Sequence, residues 1–376
     1  AGEGQRLVCR RMTIAEWAAT CSQTRGQRLL GHEGRCFDSA LQNGLLATAS
    51  EDGTARVWDL QHEAQATTTL PCSTSSEVLR VSWAPEIVES VMGAPVLATG
   101  GADGVARIWR FGPGGAKLVQ SVSHASRDQI YGCEWSASED DAWLLTAAAD
   151  EVVLWDVSAG QAKVSYRTSS SGTSEGETVD VFDAQISETT HLVACAVSDG
   201  TVRVHDLRGG DVATIRPSNR GKVTAVRWRP SDGARLAAAT VSGDVVLYDT
   251  RTWRLHAARP KPPTHVPAYG VRWLSESGAA QDDDVLLSWS NDGTLDFWHA
   301  QTHADPIALR LRGSEENGED TGSADVRLDF PLFHCSLARN PASSTLVAVG
   351  GDGGHDFRPD RAVARFDLPH AIALDI

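Results

Sequence analysis

The stretch LLATASEDGTARVWDL, residues 45–60, is the clearest indication of the fold because it recurs with variations six more times along the chain. Each copy has an apolar run, a short turn that is usually Asp-Gly, and then alternating apolar and polar residues up to an aromatic residue. That order is the pattern of a β-hairpin. The other copies begin at residues 96, 143, 191, 235, 285 and 345. A motif repeated at a near-constant period predicts one repeat architecture rather than several separate domains.

Two further strands accompany each hairpin. Most hairpins follow a strand that ends in Trp, as in VLRVSWAP (residues 78–85) and VTAVRWRP (residues 223–230), and another strand is expected after each aromatic residue. The aromatic position is filled by Trp58, Trp109, Trp155, His205, Tyr248, Trp298 and Phe366. These residues are 43 to 68 apart, and the longest step, the last, is interpreted as a loop insertion. The sequence therefore predicts four strands in every unit.

On these repeats the chain resembles the WD40-repeat family from about Gly31 to Pro369. The resemblance implies an all-β fold: a seven-bladed β-propeller with four-stranded antiparallel blades. It also implies that a strand from the N-terminal end closes the ring, and Gly26 to Leu30 are placed to supply that strand. Closure of this kind removes free sheet edges, which would otherwise pair with other chains.

The chain is accordingly divided into three parts. Residues 1–25 are an N-terminal extension with a short helix predicted over 14–20, residues 26–370 are the propeller, and residues 371–376 are a tail. An acidic stretch at 312–325 is predicted to be a mobile insertion before the last blade. We interpret it as a surface loop, with an acidic tether for a basic partner as the alternative.

The resemblance also implies a structural set of His, hydroxyl, Asp and Trp within a blade. The set falls on His32, Thr48, Asp52 and Trp58 in the first blade, on His124, Thr146, Asp150 and Trp155 in the third, and on His265, Ser288, Asp292 and Trp298 in the sixth. The second blade has Thr99, Asp103 and Trp109 without a His, the fourth has Cys195 and His205, and the fifth has Ala238 and Ser242. A buried carboxylate needs hydrogen-bond partners, and repetition of the set favours a role in folding over a hydrolase triad.

Other candidate chemical motifs lack the context that their chemistry requires. A GxSxG pattern at 172–176 lies in a polar loop rather than between a buried strand and a helix. The GPGGAK segment at 112–117 lacks the ending of a phosphate-binding loop and is interpreted as a turn between blades. His299 with His303, and the run at 282–284, are interpreted as loop residues. No catalytic residue, cofactor site or metal site is therefore assigned.

Charge and composition restrict the classes of partner and compartment. There are 34 Lys and Arg against 49 Asp and Glu, a net charge of −15, which disfavours general nucleic-acid binding and favours basic peptides or basic proteins. No apolar run is long enough to cross a bilayer, so membrane insertion is not expected. Seven scattered cysteines, without a CxxC pair or a secretory signal, favour the reducing cytoplasm or nucleus and leave import into an organelle open. Nothing in the pattern implies a homo-oligomer.

Alignment of the inner strands predicts a partner-binding face around the central channel. The aligned positions are Phe37, Leu79, Tyr131, Asp180, Thr224, Tyr269 and Phe333, with Arg35 and Lys222 two residues earlier in their strands, and Glu51 and Asn291 just before turn Asp residues. Aromatic side chains with mixed charges are typical of protein interfaces. The predicted binding residues are Arg35, Phe37, Glu51, Tyr131, Asp180, Lys222, Tyr269, Asn291 and Phe333.

The leading functional hypothesis is a non-catalytic scaffold, a subunit of a larger multiprotein complex. One alternative is a hydrolase resembling the diphthine methylesterase family, suggested by the Tyr-Gly-x-x-Trp segments at 131–135 and 269–273. Another is an RNA-associated propeller subunit of a ribonucleoprotein complex. That alternative needs a local basic patch, for which the candidates are Arg25, Arg28 and Arg35, or Arg216, Arg220, Lys222, Arg227 and Arg229.

Overall fold

The fold is all-β and is built from four-stranded antiparallel sheets. The computed structural model describes residues 27–61, 66–137, 142–168, 179–217, 221–259, 266–274, 285–290, 292–300, 307–310, 332–339, 344–350 and 363–368. Several sequence-based predictions fall outside these residues: the helix at 14–20, the GxSxG pattern at 172–176, the acid run at 282–284, the acidic stretch at 312–325 and the tail at 371–376.

The described residues form seven four-stranded sheets. The first three sheets contain β2 Cys36–Gln42, β3 Leu45–Ser50, β4 Thr54–Asp59, β5 Ala66–Pro71, β6 Val78–Trp83, β7 Val96–Gly101, β8 Val105–Gly112, β9 Gly115–Ser123, β10 Ile130–Ala137, β11 Ala142–Ala148, β12 Glu151–Asp156 and β13 Gln161–Arg167. The next three contain β14 Val181–Ile186, β15 Leu192–Val197, β16 Val202–Asp206, β17 Asp211–Ile215, β18 Val223–Trp228, β19 Arg235–Thr240, β20 Val245–Asp249, β21 Arg254–Ala258, β22 Ala268–Trp273, β23 Val285–Ser290, β24 Thr294–His299 and β25 Ile307–Arg310. The seventh contains β26 Leu332–Arg339, β27 Ser344–Gly350, β28 Val363–Leu368 and β1 Gln27–Arg28.

The sheets follow one another around a central axis. The first strand of each sheet contacts the first strand of the next, and β26 of the seventh sheet contacts β2 of the first. The seventh sheet takes its fourth strand from the N-terminal end, because Gln27 pairs with Arg365 and Arg28 with Ala364. Burial of Leu29, Trp58 and Val363 in one apolar cluster joins the two ends. Burying an aliphatic side chain contributes about 1.5–3 kcal/mol, so this apolar packing stabilises the seam together with the strand pairing.

The Asp-Gly turns have a backbone requirement that explains their recurrence. Gly53 has φ +79°, and a Cβ there would lie 2.5 Å from the carbonyl oxygen of Ser73, so only glycine fits. The preceding Asp52 closes the turn, since its Oδ1 accepts a hydrogen bond from the Thr54 backbone N–H at 2.9 Å. The tight turn thus brings the two central strands of the sheet into register.

The predicted network in the first sheet is confirmed in full. The Trp58 indole N–H donates to Thr48 Oγ1 at 2.9 Å, Thr48 Oγ1 lies 2.7 Å from His32 Nε2, and His32 Nδ1 lies 2.8 Å from Asp52 Oδ2. Burial lowers the pKa of His32, so its ring is neutral at pH 7 and donates from Nδ1 to the carboxylate. Burial alone would raise the pKa of Asp52, but hydrogen bonds from His32 and Thr54 hold it well below its usual range.

The third sheet corrects one member of its predicted network. Trp155 donates to Thr146 Oγ1 at 2.8 Å and His124 Nε2 lies 2.7 Å from the same oxygen, as predicted. The carboxylate that faces His124 is Glu151, at 3.4 Å from Nδ1, and not Asp150. The turn here is one residue shorter than the Asp-Gly turns, with Ala149 at φ 47°. The acid therefore comes from the first residue of β12.

In the second and sixth sheets other residues occupy the place expected for histidine. The Cys72 thiol, directly after β5, lies 3.6 Å from Thr99 Oγ1, which also accepts a hydrogen bond from Trp109 at 3.1 Å. In the sixth sheet Arg259 donates to Ser288 Oγ at 3.3 Å and forms a buried ion pair with Asp296. The predicted Asp292 is exposed and only closes its turn, so its assignment to a buried network is wrong, and His265 lies outside the described residues.

The Trp residues that end the inner strands join neighbouring sheets. Each indole N–H donates to a backbone carbonyl in the inner strand of the preceding sheet. The pairs are Trp83 with Ala40 O at 3.2 Å, Trp135 with Ser82 O at 3.0 Å, Trp228 with Gln185 O at 3.0 Å and Trp273 with Arg227 O at 3.0 Å. Such a bond contributes about 1 kcal/mol net and fixes the angle between sheets.

Two local features differ from expectation. The GPGGAK segment forms the turn between β8 and β9 inside the second sheet, so the interpretation as a turn between blades is wrong. A helix that the repeat pattern does not predict, α1 (Glu86–Met92), lies between β6 and β7. It begins after Pro85 and ends at Gly93 with φ 70°, the left-handed residue that commonly terminates helices.

Candidate partner-binding face

Every inner strand has a β-bulge near its start, and the bulge residue marks one face of the ring. The bulge residues are Phe37, Leu79, Tyr131, Phe182, Thr224, Tyr269 and Phe333. A bulged residue is left out of the ladder and re-aims its side chain. Five of these seven residues are aromatic, and none of the five is fully buried.

One predicted position in this register is wrong. The sequence alignment placed Asp180 among the bulge residues, but Val181 pairs with Val197 and Asp183 with Ala196, so the bulge residue is Phe182. The fourth inner strand has Ile186 at the position where four other inner strands have Trp. Asp180 instead occupies the position of Arg35 and Lys222, two residues before the bulge, and still borders the same face.

Three of the aromatic side chains form a first group, Phe37, Tyr269 and Phe333. The ring centroids of Phe37 and Phe333 are 5.8 Å apart, and those of Tyr269 and Phe333 are 6.0 Å apart. The group brings together the inner strands of the first, sixth and seventh sheets. Beside this group, Gly270 leaves room for the Trp289 ring, because a Cβ there would lie 2.0 Å from it, and the Trp289 indole N–H donates to the Phe333 carbonyl at 3.0 Å.

A neutralised ion pair borders this first group. The Arg35 guanidinium lies 5.6 Å above the Phe37 ring and binds Glu51 through two hydrogen bonds of 2.9 and 2.8 Å. This pairing raises the pKa of Arg35 and lowers the pKa of Glu51, so both are charged and cancel one another. The first group is therefore an apolar surface with little net charge.

The other two aromatic side chains form a second group, Tyr131 and Phe182. Their centroids are 5.7 Å apart and their rings are nearly perpendicular, at 87°. Lys222 Nζ lies 5.3 Å from the Phe182 centroid, and the Tyr131 hydroxyl donates to Gln129 Oε1. Burial raises the pKa of Tyr131, so the phenol remains protonated and neutral at physiological pH.

The structure brings eight of the nine predicted binding residues to the two groups. Arg35, Phe37, Glu51, Tyr269 and Phe333 form or border the first, and Tyr131, Asp180 and Lys222 form or border the second. Asn291 lies outside the described residues. Sequence reasoning missed Phe182, although the aromatic residue at the start of a predicted inner strand was visible.

Behind this face lies a central cavity of about 330 Å³. Three acidic side chains and three arginines line it: Asp38, Glu134, Asp183, Arg80, Arg227 and Arg272. Burial raises the pKa of Asp38 to about 6 and that of Glu134 to about 7, while Arg227 forms an ion pair with Asp183. The Asp38 carboxylate also accepts the Val81 backbone N–H at 2.9 Å, so part of this polar lining joins adjacent sheets.

Where the seventh and first sheets meet, Ser39, His334 and Asp38 form a contact with the composition of a hydrolase triad. Both the Ser39 hydroxyl, at 3.2 Å, and the Asp38 carboxylate, at 3.1 Å, approach the same nitrogen, His334 Nδ1. A general base needs the acid on one ring nitrogen and the nucleophile on the other. Ser39 is also buried against Ser336. This arrangement joins sheets and does not activate a nucleophile.

Of the first basic group proposed for RNA, Arg35 pairs with Glu51, and Arg25 and the side chain of Arg28 are outside the described part of the chain. The described residues of the second group do not form one exposed patch. Arg227 points into the central cavity and pairs with Asp183, and Arg229 pairs with Asp232. Arg216 donates to the Asp199 carbonyl at 2.8 Å. The remaining residues of that group, Lys222 and Arg220, lie respectively beside Phe182 and outside the described residues. These cations therefore lie at separate places: the central cavity, a surface ion pair and the aromatic pair on the face.

The repeated sheets and their His–hydroxyl–Trp networks define a β-propeller of repeat type, and comparisons with known families agree. A model described as WD domain, G-beta repeat, matches residues 23–59. A second, described as anaphase-promoting complex subunit 4 WD40 domain, matches residues 184–274. The chain therefore contains WD40 repeats, as the sequence resemblance predicts.

Similar proteins are WD-repeat or complex-associated proteins by their names. The chain is 26% identical over 286 residues to telomerase protein component 1 of Rattus norvegicus, which is 71% of this chain and 10% of that protein. It is 24% identical over 220 residues to the F-box-like/WD repeat-containing protein TBL1X of Mus musculus, covering 54% and 37%. It is 31% identical over 152 residues to a ribosome biogenesis protein WDR12 homolog of Chlamydomonas reinhardtii, covering 38% and 30%. The chain thus matches between a tenth and about two fifths of these relatives' lengths.

Across the residues with described coordinates, no helix has the length and apolar character needed to span a bilayer. Over the same residues, no cluster of three or more His, Cys, Asp or Glu side chains is arranged to hold a metal ion. The side chains of His299 and His303 are not among those described.

Proposed function

We propose that this chain is a non-catalytic interaction platform, a subunit of a multiprotein complex, whose seven sheets act as the seven blades of one rigid ring. The observation that carries the proposal is the collection of five aromatic bulge residues from five inner strands on one face. Aromatic side chains give large contact areas at low entropic cost. A ring held by sheet-to-sheet hydrogen bonds also loses little conformational freedom on binding.

The proposed partners are other proteins, and among them basic ones. The chain carries a net charge of −15, which attracts basic surfaces and raises their rate of encounter. The names of the relatives include a telomerase component and a ribosome biogenesis protein, which supports assembly into a larger complex. A homo-oligomer is not part of the proposal.

The hydrolase alternative receives no support from the segments that suggested it. In 131–135 and 269–273 the tyrosines are bulge residues of the face, and Trp135 and Trp273 donate to carbonyls of the neighbouring sheet. Both segments therefore have structural roles that account for their residues. In the Ser39–His334 contact, Ser39 and Asp38 approach the same ring nitrogen, Nδ1, whereas general-base catalysis needs them on different nitrogens.

We further propose a reducing compartment, the cytoplasm or the nucleus. Five cysteines within the described ranges are free and buried: Cys36, Cys72, Cys133, Cys195 and Cys335. Burial raises the pKa of Cys133, Cys195 and Cys335 to about 12, which makes these thiols unreactive. Buried reduced thiols packed as small apolar side chains suit an environment that does not promote disulfides.

Affinity purification from the chain's own cells tests the platform. The tagged chain is compared with a variant in which Phe37, Tyr131, Phe182, Tyr269 and Phe333 are all changed to Ala. A matched control changes exposed apolar residues of the outer strands, Leu118, Val119 and Leu255, to Ala. We expect the chain and the control to co-purify one set of proteins by mass spectrometry, and the face variant to lose it while keeping its circular dichroism spectrum.

Two results would overturn this assignment. If the control loses the same proteins as the face variant, the binding surface lies on the outer strands. If no protein co-purifies with the unaltered chain, the platform hypothesis fails and a hydrolase screen is the next step. Nuclease treatment before purification separates the RNA alternative, which requires that the recovered proteins disappear after RNA is digested.

A further inference from the structure

The two aromatic groups on the face differ in their charges. The first group already contains a cation, Arg35, whose charge is cancelled by Glu51. The second group has three acidic residues near Tyr131: Asp180 and Glu77 each stand two residues before the bulge residue of a neighbouring inner strand, and Asp128 stands three residues before Tyr131. Burial and these negative charges raise the pKa of the Tyr131 phenol, and the charge of Arg80 lowers it. Among the described residues, none of these three carboxylates forms an ion pair within 4.0 Å.

We propose that the second group is a binding pocket for a cationic side chain, an arginine or lysine carried by a peptide segment of a protein partner. The pocket is formed by Tyr131, Phe182, Glu77, Asp128 and Asp180, and the inference rests on the platform function proposed above. An aromatic ring face attracts a guanidinium or ammonium group, and surrounding carboxylates add charge attraction and hydrogen-bond acceptors.

The backbone holds the pocket in place without using its acidic groups. The backbone N–H of Asp180 donates to Ser198 Oγ at 2.8 Å, and the Ser198 N–H donates to the Asp180 carbonyl at 2.8 Å. The Glu77 carbonyl accepts the Ala102 N–H at 2.9 Å, and the Asp128 N–H donates to Ser126 Oγ at 3.3 Å. The main chain is therefore fixed by local contacts, while Asp128 is exposed and Glu77 and Asp180 are partly exposed, so an incoming cation can reach these residues from solvent.

The first group shows within the same molecule what such binding looks like. There the Arg35 guanidinium lies over Phe37 and makes two hydrogen bonds with Glu51. The second group has the ring and the carboxylates but lacks an equivalent arginine at that position, which Asp180 occupies in the fourth sheet. A partner's cation would complete the arrangement that the first sheet makes from its own residues.

Two cations of the chain itself lie nearby, and they limit the strength of the pocket. Lys222 is exposed and lies 5.3 Å from the Phe182 ring, and Arg80 donates to the Leu79 carbonyl at 3.0 Å behind the pocket. Lys222 repels an incoming cation and competes for the rings. We therefore expect Lys222→Ala to tighten binding of a basic peptide several-fold, an effect opposite in sign to that of removing an acid.

Binding of a labelled hexa-arginine peptide, with hexa-glutamine as the uncharged probe, tests the pocket by fluorescence anisotropy at 50 and 300 mM salt. The pocket variant is Glu77→Gln, Asp128→Asn and Asp180→Asn. The charge-matched control is Glu86→Gln, Asp156→Asn and Asp206→Asn, which removes the same three charges from other surfaces. We expect about tenfold weaker binding for the pocket variant and for Tyr131→Ala, and less than about twofold change for the control.

Equal weakening in both triple variants would show attraction by net charge alone and would overturn the pocket. So would failure of the unaltered chain to bind hexa-arginine, or a weakening by Lys222→Ala. The outcome is separable from that of the platform function. If the Tyr131 variant still recovers the co-purifying proteins and the Phe37 and Phe333 variants do not, the platform stands on the first group and the cation pocket fails.

Discussion

The first and third sheets build one network with two different turns. In both, one threonine Oγ1 forms hydrogen bonds with a Trp indole and with a His ring. The Trp bond is 2.9 Å in the first sheet and 2.8 Å in the third, and the His bond is 2.7 Å in each. The acid differs: Asp52 lies 2.8 Å from His32, whereas Glu151 lies 3.4 Å from His124. A turn that is one residue shorter moves the acid into the strand and lengthens its contact.

The difference between the two sheets indicates which part of the network the fold requires. The threonine hydroxyl and its two ring partners have almost the same geometry in both sheets. This is the part of the network that the two sheets share. The carboxylate sits nearer the surface and tolerates a change of residue, position and distance. Matched positions of the two sheets should respond differently to substitution at the Trp and the acid and equally at the threonine, and the His32 ring should add a dependence on pH.

The largest effect is expected from removing the tryptophan. Trp58 is fully buried, while Trp155 is only partly buried, so Trp58→Ala leaves the larger cavity. We expect Trp58→Ala to lower the free energy of unfolding by about 4 kcal/mol and Trp155→Ala by about 3 kcal/mol. Urea denaturation followed by circular dichroism measures both. An equal or greater loss for Trp155 would mean that packing around the two rings does not follow their burial.

Replacing the shared hydroxyl is expected to affect the two sheets equally. Thr48→Val and Thr146→Val each leave an indole N–H and an imidazole nitrogen without their partner, at a cost of about 2 kcal/mol. The two midpoints in urea should therefore shift by the same amount. Clearly different shifts of the two midpoints would contradict this, because equal hydrogen-bond distances would then not correspond to equal energies.

The acid is expected to matter more in the first sheet. Asp52 accepts hydrogen bonds from His32 Nδ1, from the Glu33 backbone N–H at 3.1 Å and from Thr54. Asp52→Asn should cost about 1.5 kcal/mol, whereas Glu151→Gln should cost about 0.5 kcal/mol because its contact is longer. Thermal unfolding at pH 7 compares them. A larger loss of stability for Glu151→Gln than for Asp52→Asn would contradict the inference that the shorter turn weakens the contact between the acid and His124.

The smallest effect is a change with pH. Burial lowers the pKa of His32 from its ordinary value of 6.5, so below that pH the unfolded chain takes up a proton that the folded chain does not. This contribution to stability is present above pH 6.5 and is lost as the pH falls. The stability penalty of His32→Gln should therefore be smaller at pH 5.5 than at pH 7.5. Urea midpoints at the two pH values measure it, and a larger penalty at pH 5.5 would contradict a neutral His32.

Much of the candidate site could be predicted because it follows the repeat. Phe37, Tyr131, Tyr269 and Phe333 stand at one position of a recurring strand, and the structure places all four at bulges of the same face. Phe182 was missed by a two-residue shift, because the bulge position follows from how the strand pairs with its neighbour. A repeat locates the strands, but the register within one strand is fixed by its pairing with the next.

The hairpins, the Asp-Gly turns, the repeat and the WD40 resemblance can all be read from the order of residues, since each depends on residues close together in the chain. Only the tertiary structure decided which acid faces His124, that Cys72 approaches Thr99, and that Trp83 bonds to the preceding sheet. It also decided that two aromatic groups on one face have different charges. Those contacts join residues from neighbouring strands and sheets, and their distances depend on turn length and sheet packing, which residue order alone does not specify.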